Sequence, residues 1–482
     1  MRFLVHTFII LLFSIYESLA TNVILVMADD QGWGQTGYYN HPILKTPHLD
    51  RMAKNGLRFD RFYAGGPVCS PTRATVLTGR THDRTGVLDH GYPLRKQEKT
   101  LSEAMRKKGY ATAHFGKWHL NGLRGPGVPI IKNDTHGPGG FGFDHWLSVT
   151  NFFDLNPVMS RNGSFENFSG DSSEIIVNEA LEFITQKSRS NIPFFVVIWY
   201  GTPHSPWMTL DKDKIPFENL NEQSMNHYGE LVAMDRSIGT LRAGLKKLNI
   251  NQETLVWFTS DNGGLPRINP STTGGLRDFK GSLYEGGIRV PAIIELPKMI
   301  KPRVTNYTAS AADIFPTITD VCDLPDNSML TPQDGISLTP LFKKELINRK
   351  KPIVFHSRGR SALILDNHKI LSLPKKGKKD SNTYELYDLN KDPSESTNLL
   401  KDNHSKNSGS KTSEALAEKM ISLLKASNES IEKSMNGEDY PEKSVNEGQP
   451  KRQFWTEVDH YKKYFSQWKN RPEYKSRLRN IK

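Results

Sequence analysis

Val23-Ile24-Leu25-Val26-Met27, followed almost at once by Asp29-Asp30-Gln31-Gly32, decides the architecture. A short, β-branched apolar run reads as a strand, here one that ends in two carboxylates. The same grammar recurs along the chain. Residues 110–115 read as a strand after a helix over 101–108. Residues 194–200 read as a buried strand after a helix over 173–185, and 255–259 as another after a helix over 225–248. Helix alternating with strand predicts an α/β fold, a large and mostly parallel sheet sandwiched by helices, over 21–345. Near residue 345 the pattern changes. Shorter strands over 351–373, turned at Asp366-Asn367, are followed by a strand over 384–388 and an amphipathic helix over 413–424. Leu416, Met420, Leu423 and Leu424 share one face of that helix. A smaller C-terminal α+β domain with an antiparallel sheet is expected over 346–425. Residues 426–482 are expected as a polar linker, 426–450, and a basic aromatic tail. Val458, Tyr461, Phe465 and Trp468 fall at helical spacing in the tail.

Composition narrows the class. The chain has 482 residues and a formal net charge of +12. At about 150 residues per domain this suits two to three domains and a sizeable core. Thirty-seven Gly and 28 Pro are near average usage, which excludes collagen-like and low-complexity chains. Only Cys69 and Cys322 are present, so neither a disulfide framework nor a Cys-rich zinc site is available.

The N-terminus reads as an export signal over 1–20. Arg2 gives a positive start, 3–16 is apolar but for His6, and Ser18-Leu19-Ala20 is a small-x-small cleavage site. The run is short for a membrane span of about 20 residues, and no later stretch is long enough. A periplasmic or secreted protein without a stable membrane span is expected. The net positive charge then suits an acidic polymer outside the cell better than nucleic acid, for which no module is present.

Four strand ends carry chemistry-bearing residues: Asp29-Asp30, Lys117-Trp118-His119, Thr202-Pro203-His204 and Asp261-Asn262. Open α/β sheets place their sites at the C-terminal ends of strands. Carboxylates and a carboxamide from two such ends can close an oxygen-rich cage for a hard divalent cation. Cys69-Ser70-Pro71-Thr72-Arg73 is the sharpest motif. Pro71 suits the first turn of a helix, whose N-terminus attracts anions, and Arg73 adds a cation that forks onto anionic oxygens. A plain thiol at position 69 is expected there as an activated nucleophile.

Cys-x-Pro-x-Arg followed by Leu77-Thr78-Gly79-Arg80 resembles the signature of type I sulfatases, members of the alkaline phosphatase superfamily. The segment from Phe279-Lys280-Gly281 to Arg289 resembles the stretch that contributes a substrate-binding lysine, here Lys280. The string from Glu385 to Leu399 resembles the family's C-terminal domain. The resemblance implies an alkaline phosphatase-like fold, with 21–345 as the catalytic domain. It implies that a formylglycine-generating enzyme oxidises Cys69 to formylglycine, which also accounts for the unpaired Cys322. One calcium ion is implied on Asp29, Asp30, Asp261, Asn262 and residue 69. Arg73, Lys117 and Lys280 are implied as the cationic cradle of the sulfate. In the implied mechanism the hydrated aldehyde attacks sulfur with help from Asp261. His204, with Lys280, protonates the leaving alcohol, and His119 removes the proton that lets sulfate depart.

A sulfated carbohydrate or polysaccharide is the expected substrate, with Trp146, Phe152, Phe153 and Trp207 as candidates for stacking on sugar rings. The competing readings are a small-molecule arylsulfatase, a phosphatase or phosphodiesterase of the same superfamily, and a non-catalytic binder of sulfated glycans.

Overall fold

The computed structural model describes residues 20–375, 382–401 and 408–479. All but the last residue of the expected export signal therefore lies outside the described residues. The strand Asn22–Ala28 lies in the middle of an 11-stranded sheet, parallel to Phe194–Trp199 on one side and Thr254–Ser260 on the other. Beyond Phe194–Trp199 come Ala111–Lys117 and His145–Val149, both parallel to their neighbours. A hairpin of Val158–Arg161 and Ser164–Asn167 closes that edge. On the other flank, Arg289–Glu295 runs antiparallel between Thr254–Ser260 and Leu57–Tyr63. The sheet is thus mixed, with a parallel centre.

Alternation explains how it is covered. Val23, Leu25 and Met27 point into one buried cluster, shared with the helices Cys69–Thr78 and Ile314–Cys322. Ile24, Val26 and Ala28 point into another, shared with Pro47–Asn55, Ser172–Arg189 and Glu222–Lys247. A strand whose two faces are both covered is apolar at every position, which is why 23–27 has no polar interruption. The parallel strands all end at one edge, so Asp29-Asp30, His119, His204 and Asp261-Asn262 arrive there together.

The smaller sheet is antiparallel, in the order Ile353–Ser357, Arg360–Leu365, His368–Pro374, Asn382–Asp388. One face packs on Tyr63, Leu283 and Ile288 of the larger domain. The other receives the helix Ser408–Met435 through Ala417, Met420, Leu424 and Ile431.

Two C-terminal expectations need correction. Residues 426–450 are no free linker. The helix continues to Met435, and its Ser430 and Ser434 hydroxyls accept from Arg84 at 3.1 and 2.7 Å. Asp439 then pairs with Arg80 at 2.7 Å, and the buried Tyr440 donates to Glu98 at 2.6 Å. Part of the polar composition of this stretch meets partners on the large domain, while 441–444 and 446–448 stay exposed. The helical spacing of Val458, Tyr461, Phe465 and Trp468 in the tail is also not that of one continuous helix. The tail folds into the short helices Asp459–Lys462, Phe465–Trp468 and Pro472–Leu478. Trp455, Tyr461, Trp468, Tyr474 and Leu478 bury themselves against Leu123 and Val128. Tyr461 and Tyr474 donate to the carbonyls of Pro129 and Gly127 at 2.9 and 2.6 Å. Trp455→Ala should therefore cost about 3–5 kcal/mol of stability in urea unfolding. A loss below about 1 kcal/mol, the scale of an ordinary surface change, would mean that the tail is not docked in solution.

Candidate active site

The helix Cys69–Thr78 begins at the ligand edge and is buried along its whole length. Val68 is extended, Cys69 is the first helical residue, and Gly79 ends the helix at φ 68°. The helix N-terminus thus points at the ends of the central strands. The turn after Thr254–Ser260 needs glycine, because a Cβ on Gly263 would lie 1.9 Å from the Gly286 carbonyl oxygen.

Cys69 sits on the floor. Its thiol donates to Asp29 Oδ1 at 3.3 Å, and Lys280 Nζ lies 3.6 Å from the sulfur. Burial, with Asp29 adding to it, pushes this thiol well above its ordinary range. The expectation of an activated thiol is therefore corrected: the helix N-terminus is outweighed by desolvation and a neighbouring carboxylate.

Around it stand three buried carboxylates, each met by a cation. Lys117 Nζ is 2.6 Å from Asp29 Oδ2. Lys280 Nζ straddles the Asp30 carboxylate at 2.6 and 2.8 Å. Arg73 reaches Asp261 Oδ2 at 2.7 Å and the Lys117 carbonyl at 3.0 Å, with its guanidinium 5.1 Å over the Trp199 ring. Burial alone would raise Asp30, but Lys280, His204 and Lys117 together hold it below the usual carboxylate range. Burial and the negative charge of Asp29 push Asp261 up to about 7. Asn262 Nδ2 donates to Asp30 Oδ1 at 2.8 Å, while its side-chain oxygen, Oδ1, is buried with no hydrogen-bond partner among the described residues.

That donor set suits a hard cation. Ligand atoms of Asp29, Asp30, Cys69 and His204 all lie within 4.8 Å of one another. The orphaned Asn262 oxygen points to a missing positive partner, and oxygen-rich sets of this kind take calcium.

The two histidines differ. His119 is 2% exposed, at φ 56°, and neither ring nitrogen has a hydrogen-bond partner. Burial and the nearby Lys117 and Arg73 keep it neutral. His204 is half-buried and stacked on Phe152 at 4.6 Å, with Nε2 3.8 Å from Asp30. Burial and Lys280 push it down to about 3, so in the free cleft the ring is neutral, with its Nδ1–H donated to the Ser205 carbonyl at 2.6 Å.

Above this floor opens a cleft of about 540 Å³. Cys69, His119, His204, Lys280 and Phe152 line it. Of the aromatics expected to stack on sugar, Phe152 alone lines this cleft. Phe153 is core, Trp207 is held by the Pro203 carbonyl, and Trp146 lies within the strand His145–Val149. Sequence reasoning missed a basic part of the lining, which carries Arg124, Arg358, Phe454 and Arg477. The basic and aromatic composition of the tail was the signal available for two of these.

Comparison with known proteins completes the identification. Residues 21–324 match the sulfatase family, and 275–427 match the family "N-sulphoglucosamine sulphohydrolase, C-terminal". The chain is 31% identical to human N-acetylgalactosamine-6-sulfatase, over 72% of this chain and 70% of that protein. It is 29% identical to human Arylsulfatase A, over 79% and 83% respectively. The crystal structure of Ps i-CgsB in complex with k-i-k-neocarrahexaose superposes with a TM-score of 0.72 at 25% identity. That match covers 84% of this chain and 92% of the other. The chain belongs to the sulfatase family, within the alkaline phosphatase superfamily. It is a sulfuric ester hydrolase with the alkaline phosphatase-like fold.

Proposed function

We propose that this enzyme hydrolyses sulfate esters on carbohydrates outside the cytoplasm, using formylglycine made from Cys69 and one calcium ion. The observation that carries the reading is the position of Cys69. It lies at a helix N-terminus on the floor of a saccharide-sized cleft, among Asp29, Asp30, Asp261, Asn262 and three cations. No described helix is long and apolar enough to cross a membrane.

Asp29, Asp30, Asp261 and Asn262 would hold the calcium, which supplies fixed positive charge beside the sulfate oxygens. Formylglycine, as its hydrate, supplies two hydroxyls on one carbon: one to bond sulfur, the other to release it as the aldehyde returns. The chain's own residues do the rest. Arg73, Lys117 and Lys280 offset the charge of the ester and orient it. His204 and Lys280 face the leaving oxygen and deliver its proton, His204 acquiring one as the anionic ester enters. His119, neutral and unpartnered, accepts the proton of the second hydroxyl.

The test is sulfate release from a panel of sulfated polysaccharides and their oligosaccharides. The protein is co-produced with a formylglycine-generating enzyme and compared with a Cys69→Ala twin. Release from one carbohydrate, absent in the twin, is expected; release by both alike would overturn the reading. Calcium has its own readout. At a hundredfold over its Kd it should add about 2.7 kcal/mol to wild-type stability in a melting experiment. Asp30→Asn and Asn262→Ala should abolish most of that gain, and an equal gain in both variants would place calcium elsewhere.

A further inference from the structure

One basic part of the cleft lining is made by parts of the chain far apart in sequence. Gln453–Phe454 pairs in parallel with Leu123–Arg124, setting Phe454 beside Arg124. The helix Pro472–Leu478, pinned by Tyr474 and Leu478, brings Arg477 to the same place. Both guanidinium groups stand over the Phe454 ring, Arg124 at 4.6 Å and Arg477 at 4.2 Å from its centre. Among the described residues neither has a carboxylate within 4.0 Å. Arg358, the third cation on this part of the lining, has only a 3.7 Å contact with Asp89. Glu473, the acidic residue here, is taken by Arg471 at 2.6 Å. Arg452 behind them loses proton affinity to burial and to Arg124 and Arg358, a sign of crowded positive charge.

Two unpaired guanidinium groups held against one aromatic ring repel each other, and the arrangement is compensated when an anion sits between them. They lie on the lining of the cavity that has Cys69 as its floor. We propose that Arg124, Phe454 and Arg477 form a subsite for a second anionic group, a carboxylate or a further sulfate, on the saccharide whose sulfate ester is cleaved. The inference rests on the sulfatase reading and deepens it. Guanidinium forks recognise both groups, and the half-buried Phe454, which lines the cleft, offers an apolar surface to a sugar ring. The tail is then a specificity element: its buried aromatics fix it to the large domain, and its cations choose substrates rich in negative charge.

Calorimetric binding to the full-length protein tests this without turnover, using the Cys69→Ala form. Three disaccharide probes share a 6-sulfated N-acetylgalactosamine. One carries a uronate, one the same sugar with its carboxyl reduced to an alcohol, and one that reduced sugar with a second sulfate. The dianionic probes should bind about 10- to 100-fold more tightly than the reduced one. Adding Arg124→Gln and Arg477→Gln should bring that ratio within about threefold, whereas Arg477→Lys, which keeps the charge, should retain most of it. Preference for one dianionic probe identifies carboxylate or sulfate as the recognised group. No preference in the parent, or the same preference after both changes in a protein with an unshifted melting point, overturns the proposal. Sulfate release by the protein with Cys69 intact is scored separately. A preference that depends on the two arginines, without release, keeps the subsite and fails the hydrolytic reading. Release with a preference that ignores them does the reverse.

Discussion

Cys69→Ser should free no more than about one desulfated alcohol per enzyme molecule and keep the sulfate as a serine ester, a loss of at least ~10³-fold in steady-state turnover. The substitution barely alters the fold. Among the described residues the Cys69 side chain hydrogen-bonds to Asp29 Oδ1 at 3.3 Å and Lys280 Nζ at 3.6 Å, and a hydroxyl can meet both. The charge-offsetting groups stay in place, so a serine oxygen can still be driven onto sulfur. What it lacks is the second hydroxyl. In the proposed mechanism His119 then has no proton to remove, and the sulfur–oxygen bond must wait for slow attack by water. The wild-type thiol is no substitute, since burial and Asp29 push it above its ordinary range. Enzyme made without the modifying enzyme should therefore be as inactive as the variant, and the mass of the peptide carrying residue 69 tells the two states apart. Multiple turnover by Cys69→Ser at the wild-type rate would sink the mechanism.

The site was legible because its parts lie next to strands that announce themselves. Residues 23–27 are apolar at every position since both faces are covered, and the carboxylates begin where the cover stops. Arg289–Glu295 was harder. It carries Pro291, which argues against a strand inside a sheet, and the register shifts between Val290 and Ala292 to accommodate it. The strand Leu57–Tyr63 hides for another reason: Arg58 and Asp60 pair with each other at 3.2 Å, so charge sits in a strand that is otherwise buried. The C-terminal segment misled most. Lys, Glu, Ser and Asn in 426–450 have the composition of a solvated linker. Arg80, Arg84 and Glu98, the partners of Asp439, Ser430 and Tyr440, lie more than 300 residues away, and no local pattern reports a pairing at that distance. The same blindness hid the cleft wall, for Arg477 is unremarked until the fold sets it over Phe454.

Arg73→Lys separates charge from geometry at the floor of the cleft. A lysine keeps the positive charge but cannot keep three contacts at once. Arg73 reaches Asp261 with one nitrogen, the Lys117 carbonyl with another, and lays its plane over Trp199. The ammonium of a shorter, non-planar side chain can meet Asp261 and must abandon the carbonyl and the ring. One buried hydrogen bond and a stacked contact are lost, costing about 1–3 kcal/mol of stability. The catalytic loss should be larger. The Lys117 carbonyl tie fixes the strand end that presents Lys117 and His119, and Asp261 is held beside Asp30 through its bond to that residue's N–H at 3.1 Å. Loosening Arg73 therefore disturbs Lys117, the proposed base His119 and the proposed calcium ligand Asp261 together, and kcat/KM should fall about 10²–10³-fold. Arg73→Ala should do worse, because Asp261 then keeps its burial without its counter-charge, a change that costs about 3–5 kcal/mol. The decisive comparison is kcat against KM for Arg73→Lys at saturating calcium. A loss confined to KM would reduce Arg73 to a binding charge, and wild-type kcat in this variant would contradict the role given to its geometry.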